Sequence, residues 1–203
     1  MTIEALLALA AIAVTMTWTP GPNNVMLTAS GAVYGLMRTL PHAMGVAVGF
    51  PVMLFLVAMG LGQVFTAWPW IAGVLSWTGF AAMVWFSWKI ATAPLEGQGE
   101  QSGAPGGRPL TILQAAAFQW VNPKAWTFAI WISASYAASG DALAAILLAS
   151  LVFLISGLGS SVAWSAFGAV IGRLLGTGTR MKAFNVAMAA LLLGSALWLM
   201  SGL

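Results

Sequence analysis

Long apolar stretches alternate with short polar segments along this chain. Residues 5–37 contain no charged side chain, and neither do residues 39–88. A helix needs roughly 20 apolar residues to cross a bilayer, so the first stretch has room for one membrane span and the second for two. Pro69, which stands between Trp68 and Trp70, predicts the turn between those two spans, because proline breaks helices and tryptophan favours the membrane–water interface.

A polar segment near the middle of the chain separates two apolar halves. Residues 94–109 (PLEGQGEQSGAPGGRP) are rich in Gly, Pro and Gln, which is typical of a flexible loop in water. Three further spans are predicted over residues 110–140, 142–172 and 183–203. The sequence thus predicts an all-α integral membrane protein with six transmembrane helices, organised as residues 1–93, a linker loop 94–109 and residues 110–203.

Composition supports lipid as the main solvent. The 203 residues are 61% hydrophobic and 5% charged, whereas a soluble domain carries about 25% charged residues. The basic residues are scattered between apolar runs instead of forming a patch, so no nucleic-acid partner is expected. The chain contains no cysteine, which excludes disulfides and thiolate metal sites. We expect no cofactor and no metal.

The charges also predict an orientation. With six spans, the basic residues fall in or beside the first, third and fifth loops, and the opposite side has only Glu4 and Asp141. Those basic residues are Arg38, Lys89, Arg108, Arg173, Arg180 and Lys182. Positive residues collect on the cytoplasmic side. Loops 30–41, 94–109 and 173–182 are therefore predicted to be cytoplasmic, and both termini to lie outside.

Two spans are interrupted at corresponding places. The first contains residues 18–24 (WTPGPNN), and the fourth contains residues 120–125 (WVNPKA). Three spans on each side of the central loop give the halves opposite orientations, which predicts two inverted three-helix repeats with helices 1 and 4 broken. Paired interruptions of this kind indicate the binding site of a transporter.

The prolines suggest what these breaks offer. Proline removes a helical hydrogen bond, so the carbonyls of Met16, Trp18 and Gln119 are predicted to be free for a substrate ammonium group, a water or a cation. Thr19-Pro20 and Asn122-Pro123 each resemble the start of a new half-helix. The unpaired N–H groups at such a start suit a carboxylate.

Several polar residues at membrane depth complete the predicted site. Lys124 is the only charge well inside a span, and it could bind a carboxylate or carry a coupling proton; the alternative is a lysine that reaches the interface. The amides could instead link helices by hydrogen bonds. The predicted substrate-binding residues are Thr19, Gly21, Pro22, Asn23, Asn24, Gln119, Asn122, Pro123 and Lys124.

Two other groups of residues have simpler interpretations. His42, the single histidine, is a second candidate for proton coupling, although an interfacial histidine with no special role explains it as well. Gly45 and Gly49, and likewise Gly168 and Gly172, have the spacing that lets helices approach closely in lipid. We expect these glycines to serve helix packing.

The same segments resemble the LysE/RhtB family of amino-acid exporters. The resemblance is carried by residues 20–24 (PGPNN), 41–45 (PHAMG) with Gly49, and 122–125 (NPKA). It implies a bacterial inner-membrane protein with two three-helix repeats that exports amino acids, is driven by the proton gradient and forms a homodimer. Some members have an acidic residue near the position of Phe50-Pro51, which this chain does not.

The leading hypothesis is therefore export of a small, neutral amino acid or derivative. Metal-ion export by the same kind of fold is an alternative, although one histidine and no acidic residue within a span give a metal few ligands. A membrane enzyme would need a nucleophile with a base, or a metal, and no spacing identifies one. A scaffold without transport activity would not require two broken spans and a buried lysine.

Overall fold

The computed structural model describes residues 2–93, 107–137 and 141–201, and every regular element in those ranges is helical. A π-helical turn (Val57–Leu61) continues the third helix, and a 3₁₀ turn (Gln119–Val121) follows the sixth. The α-helices are α1 (Ile3–Trp18), α2 (Pro22–Tyr34), α3 (Leu36–Leu56), α4 (Gln63–Ala67), α5 (Trp70–Ala91), α6 (Ile112–Phe118), α7 (Pro123–Ala137), α8 (Ala142–Leu175) and α9 (Thr179–Ser201).

The helix lengths define a multi-pass membrane protein. Among the described residues, four helical segments are long and apolar enough to cross a bilayer: Leu36–Leu61, Trp70–Ala91, Ala142–Leu175 and Thr179–Ser201. Together α1 and α2 form a fifth candidate, bent by 52° at the predicted interruption. The predicted fourth span is divided into shorter pieces, α6 with its 3₁₀ turn and then α7.

The predicted turn at Pro69 is confirmed, because α4 ends at Ala67 and Pro69 caps α5. The predicted loop 30–41 is wrong: α2 continues to Tyr34, α3 begins at Leu36, and Gly35 alone turns the chain with a φ of 78°, a conformation that favours glycine. Loop 173–182 is likewise shorter, since only residues 176–178 separate α8 from α9. Residues 94–106 of the central loop lie outside the described residues.

Glycines set the closest helix contacts. A Cβ atom on Gly168 would lie 2.0 Å from the carbonyl oxygen of Thr28, and one on Gly45 would lie 2.3 Å from that of Ile112. Gly172 contacts Ala32, and Gly49 contacts Ala116, in the same way. These contacts confirm the predicted packing role. They hold α2 parallel to the second half of α8, and α6 parallel to the first half of α3.

Several of the described charged residues stand near one or the other end of the bundle. The Arg38 guanidinium lies 5.8 Å from the ring centre of Tyr34 at the end of α2, and Tyr34 shares a cavity with Lys89 and Arg108. The contact of Gly172 with Ala32 brings the end of α8 to this end also. Glu4 and Asp141 stand at the opposite end, at the starts of the parallel helices α1 and α8.

Candidate functional site

The first break lies between α1 and α2, slightly later than the sequence predicted. Thr19 caps the end of α1, and the new half-helix begins at Pro22 with Gly21 as its N-cap. The prediction that Thr19 starts a half-helix is therefore wrong. The Thr19 hydroxyl donates back to the carbonyl of Thr15 (2.7 Å), while Pro22 occupies the first helical position, where its missing N–H leaves no bond unmade.

Side chains satisfy three of the carbonyls near this break, those of Met16, Thr17 and Thr19. The Asn24 amide donates to the carbonyl oxygens of Thr17 and Thr19, both at 2.8 Å, and the Ser160 hydroxyl donates to Thr17 at 2.6 Å. The Met16 carbonyl accepts a longer bond of 3.4 Å from the Thr19 hydroxyl. The prediction of a free Met16 carbonyl is therefore wrong, because the chain pairs these groups internally, as a hydrocarbon environment requires.

The start of α2 is different, because no side chain caps it. The first N–H groups of a helix have no partner within the helix and carry partial positive charge. Gly21, Pro22, Asn23 and Asn24 all line a cavity. The half-helix thus opens an uncapped donor end onto that cavity.

The second break is confirmed where it was predicted. The side-chain oxygen of Asn122 accepts from the backbone N–H of Lys124 at 3.1 Å, so Asn122 caps α7 and Pro123 is its first residue. The carbonyl of Gln119, predicted to be free, accepts from the N–H of Asn122 at 3.2 Å. The carbonyl of Trp120 accepts from the indole of Trp126 at 2.8 Å. This break is sealed by its own residues.

Lys124 connects the two breaks. Its ammonium donates to the Thr19 hydroxyl at 3.0 Å, and it lies 3.3 Å from the place that a Cβ on Gly21 would occupy. The lysine therefore turns towards the other interrupted helix, which argues against the alternative in which it reaches the membrane surface. It places a positive charge beside the uncapped start of α2.

A pair of amides joins the same two regions. Asn23 donates to the Gln119 side-chain oxygen at 2.9 Å, and Gln119 donates back to Asn23 at 3.2 Å. Gln119 also donates to the carbonyl of Ala115 at 3.0 Å and is buried. For these two residues the alternative of interhelical hydrogen bonding describes the structure, and both amides also line the cavity.

The cavity between the breaks has a volume of about 50 Å³. Seven of the predicted residues line it: Gly21, Pro22, Asn23, Asn24, Gln119, Asn122 and Lys124. Thr19 adjoins it through its bond to Lys124, whereas Pro123 is absent from the lining. Met16, whose carbonyl was predicted to face a substrate, also lines the cavity; sequence reasoning missed the remaining lining residues, which are Thr17, Val46, Ala47, Phe50, Ala125, Phe153, Gly157, Ser160 and Ser161.

Two of the missed features give the cavity its chemistry. The rings of Phe50 and Phe153 lie 5.1 Å apart, and α8 contributes the hydroxyls of Ser160 and Ser161. The run of small residues from Gly157 to Ser161 was a signal for the hydroxyls, although the same pattern is common in plain helix packing. The family resemblance drew attention to the position of Phe50, whereas nothing in the sequence distinguishes Phe153 from the other apolar residues.

His42 lies outside this cavity. It stands on α3 and lines a second, larger cavity. Only 3% of the residue is exposed, so His42 is buried within the bundle and does not stand on its outer surface. Within residues 2–93, 107–137 and 141–201, no group of three or more histidine or acidic residues is placed to hold a metal ion.

A cavity that is lined by amides, hydroxyls and a lysine and lies beside two broken helices in an apolar bundle is the arrangement of a membrane transport protein. Residues 14–202 match the family described as LysE type translocator, and the chain belongs to that family. This membership confirms the resemblance seen in the sequence, and it identifies a transport protein, not an enzyme.

Relatives with curated names extend this result. The chain is 28% identical over 176 residues to a cysteine/O-acetylserine efflux protein of Escherichia coli O157:H7, with 86% of this chain and 87% of the relative covered. Proteins of the same name from Escherichia coli strain K12 and Shigella flexneri serotype 5b are 28% identical over 175 residues, with 86% of each chain covered. A comparison with solved structures found no match.

Proposed function

We propose that this protein is a secondary transporter that exports a small, neutral amino acid or a derivative of one across the bacterial inner membrane, coupled to proton entry. The efflux relatives support the solute class, and the family membership supports transport. One observation carries the site assignment: the uncapped start of α2 faces the ammonium of Lys124 across the two breaks.

The carboxylate of the solute binds, in this proposal, between those two groups. The backbone N–H groups of Asn23 and Asn24 supply the donor end of a helix, which suits an anion. The Lys124 ammonium supplies a full positive charge. To bind, the carboxylate replaces the Thr19 hydroxyl as the partner of Lys124, so that the charge stays paired at membrane depth, where an unpaired charge is costly.

The amino group of the solute faces the opposite wall. The hydroxyls of Ser160 and Ser161 and the side-chain oxygen of Asn23 can accept hydrogen bonds, and the Phe50 and Phe153 rings can interact with a cation through their faces. None of the described residues that line the cavity is acidic. A second positive charge on the solute would therefore have no partner, which favours a neutral amino acid.

The small cavity indicates how transport proceeds. Sites for small molecules occupy about 300–1,000 Å³, far more than the 50 Å³ found here, so the helices around the breaks have to part for a solute to bind. We assign residues 1–93 and 110–203 to two inverted repeats that move against each other, with both termini outside and two copies forming a dimer. Lys124 carries the coupling proton, with His42 as the second candidate.

Efflux from proteoliposomes tests this function. Vesicles loaded with radiolabelled serine, cysteine, O-acetylserine or lysine are compared with and without a pH gradient. We expect export of neutral solutes that accelerates with the gradient, and a loss of about tenfold or more in Lys124→Ala, the cost of one charge-assisted hydrogen bond. Asn23→Ala should lose activity also.

The control is Lys182→Ala, which removes an exposed lysine outside the cavity and should leave efflux unchanged. Normal efflux in both Lys124→Ala and Asn23→Ala would remove the site assignment. Efflux that ignores the pH gradient would remove proton coupling. Export of lysine in preference to the neutral solutes would overturn the substrate class.

A further inference from the structure

A second cavity, of about 550 Å³, lies near the end of the bundle where the basic residues collect. Its size falls in the range of sites for small molecules, about 300–1,000 Å³. Its walls come from α2, α3, α5 and residues 107–114. Apolar side chains, among them Met26, Trp85 and Phe86, surround a small number of polar groups, a composition that is typical of binding sites.

Those polar groups favour an anion. Among the described residues of the lining, both charged side chains, Lys89 and Arg108, are cationic and none is acidic. The Lys89 ammonium lies 5.4 Å from the ring centre of Trp85, which leaves it without a carboxylate partner in the lining. Of the four acidic residues in the chain, Glu4 and Asp141 stand at the opposite end of the bundle, and Glu96 and Glu100 lie outside the described residues.

His42 provides the independent indication of a ligand. It is buried to 3% exposure, lines this cavity, and its Nδ1 atom has no hydrogen-bond partner among the described residues. Buried polar atoms are nearly always paired, and an unpaired one needs an explanation. The Nδ1 atom is itself enclosed by protein atoms, so the ring has to turn for a proton on Nδ1 to reach an oxyanion in the cavity.

The two cavities lie along one seam between helices. On α2, Asn23 lines the central cavity, and Met26 and Ser30, which follow at helical spacing, line the second. On α3, Val46 lines the first cavity and His42, one turn earlier, lines the second. A buried apolar layer of Leu27, Ala43, Val46 and Ala115 adjoins both cavities, since Val46 lines the central cavity and Ala43 follows His42 in the chain.

We propose that the second cavity is an access site, in which Lys89, Arg108 and His42 bind the carboxylate of the transported solute before it crosses this apolar layer to the central cavity. The proposal rests on the proposed function for the identity of the solute. The shared chemistry of the site is that of an oxyanion receptor, which an anionic lipid phosphate could also satisfy, and the experiment separates these two sources.

The absence of native cysteine makes a labelling experiment specific. The variant Ala93→Cys places one thiol in the lining of the second cavity, and its reaction rate with N-ethylmaleimide is measured in nanodiscs of purely zwitterionic lipid. The probes are O-acetylserine, serine and serine methyl ester, which lacks the carboxylate. We expect the free acids to slow the reaction and the ester to have no effect.

Variants of the receptor groups complete the test. Lys89→Gln with Arg108→Gln, added to Ala93→Cys, should raise the concentration of solute needed for protection about tenfold, the cost of one charge-assisted hydrogen bond. His42→Leu should weaken protection in the same direction. Lys182→Gln, which removes a positive charge outside the cavity, should leave protection unchanged.

Three results would overturn the proposal: no protection by any free acid, equal protection by the ester, or protection that appears only when phosphatidylglycerol replaces the zwitterionic lipid. The outcome is independent of the efflux assay. Protection without efflux would refute the exporter alone, and efflux that depends on Lys124 without protection at Ala93→Cys would refute the access site alone.

Discussion

The two broken helices have similar sequences at their interruptions, but their exposed backbone groups are paired differently. At the second break, Asn122 caps the start of α7 and Trp126 satisfies the Trp120 carbonyl, so the backbone is closed by its own residues. At the first break, Asn24 and Ser160 satisfy the end of α1, but nothing caps the start of α2. One break therefore supplies a fixed platform for Lys124, and the other supplies an open donor end towards which Lys124 points.

This difference indicates that the two breaks have different roles in binding the solute. A sealed break keeps its geometry without a ligand, because the carbonyls of Gln119 and Trp120 and the N–H of Lys124 have partners within the chain. An open break has unpaired N–H groups that a ligand can satisfy. The first break should therefore respond to the solute, and the second should determine where the charge stands.

The largest losses of stability should come from substituting glycines at which a neighbouring helix packs closely against a broken helix. Gly168→Ala would place a Cβ 2.0 Å from the Thr28 oxygen beside the first break, and Gly79→Ala would place one 2.0 Å from the Val121 oxygen at the second. Both contacts are with backbone, so we expect destabilisation of about 3 kcal/mol in each. Unfolding by sodium dodecyl sulfate in mixed micelles measures it.

The controls for these variants are Gly73→Ala and Gly194→Ala, where nothing lies within 4 Å of an added Cβ. These should be neutral or stabilising by up to about 1 kcal/mol, because alanine favours the helix more than glycine does. Destabilisation equal to that of Gly168→Ala would show that these glycines act through something other than close packing.

The next largest loss of stability should come from removing the side chain that pairs with the carbonyls at the first break. Asn24→Ala removes the donor to the carbonyls of Thr17 and Thr19, and the loss of two buried partners should cost about 2 kcal/mol in the same unfolding assay. Asn24→Asp keeps the size but cannot donate when ionised, so it should be at least as unstable. A normal unfolding midpoint in both variants would contradict the assigned capping role.

At the second break the corresponding change should be milder. Asn122→Ala removes the N-cap of α7 and should cost about 1 kcal/mol, whereas Asn122→Ser should retain most of the stability. If the cap also positions Lys124, efflux should fall in Asn122→Ala and recover in Asn122→Ser. Efflux that is equal in the two variants would show that this cap is structural only.

The smallest expected effect is the coupling between the two breaks. Asn23 and Gln119 exchange two hydrogen bonds, and such interhelical pairs in membranes contribute about 0.6 kcal/mol on average. A double-mutant cycle with Asn23→Ala and Gln119→Ala measures this term directly. An interaction energy of zero would mean that the two amides do not stabilise each other. Both would then be available to bind the solute.

Much of the fold could be predicted from the apolar pattern. The turn at Pro69, the interruptions near Pro20 and Pro123, and the cap at Asn122 all follow from local rules for proline, tryptophan and helix termini. The sequence predicted the helix ends near Gly35 and Gly176 less accurately than it predicted these features. Charged residues indicate where the bilayer ends. The helical hydrogen bonds of α2 and α8 continue further, until a glycine turns the backbone.

The site shows the same distinction between what local sequence predicts and what packing decides. The sequence by itself determined that the chain belongs in lipid, where the proline interruptions fall, and that Lys124 stands at one of them, because lipid solvation and missing N–H groups are properties of single residues and their neighbours. Only the tertiary structure decided that Lys124 faces Thr19, that Asn24 caps α1, and that Phe50, Phe153 and Ser160 close the cavity. Those contacts join residues far apart in the chain, and their pairing depends on which helices pack together.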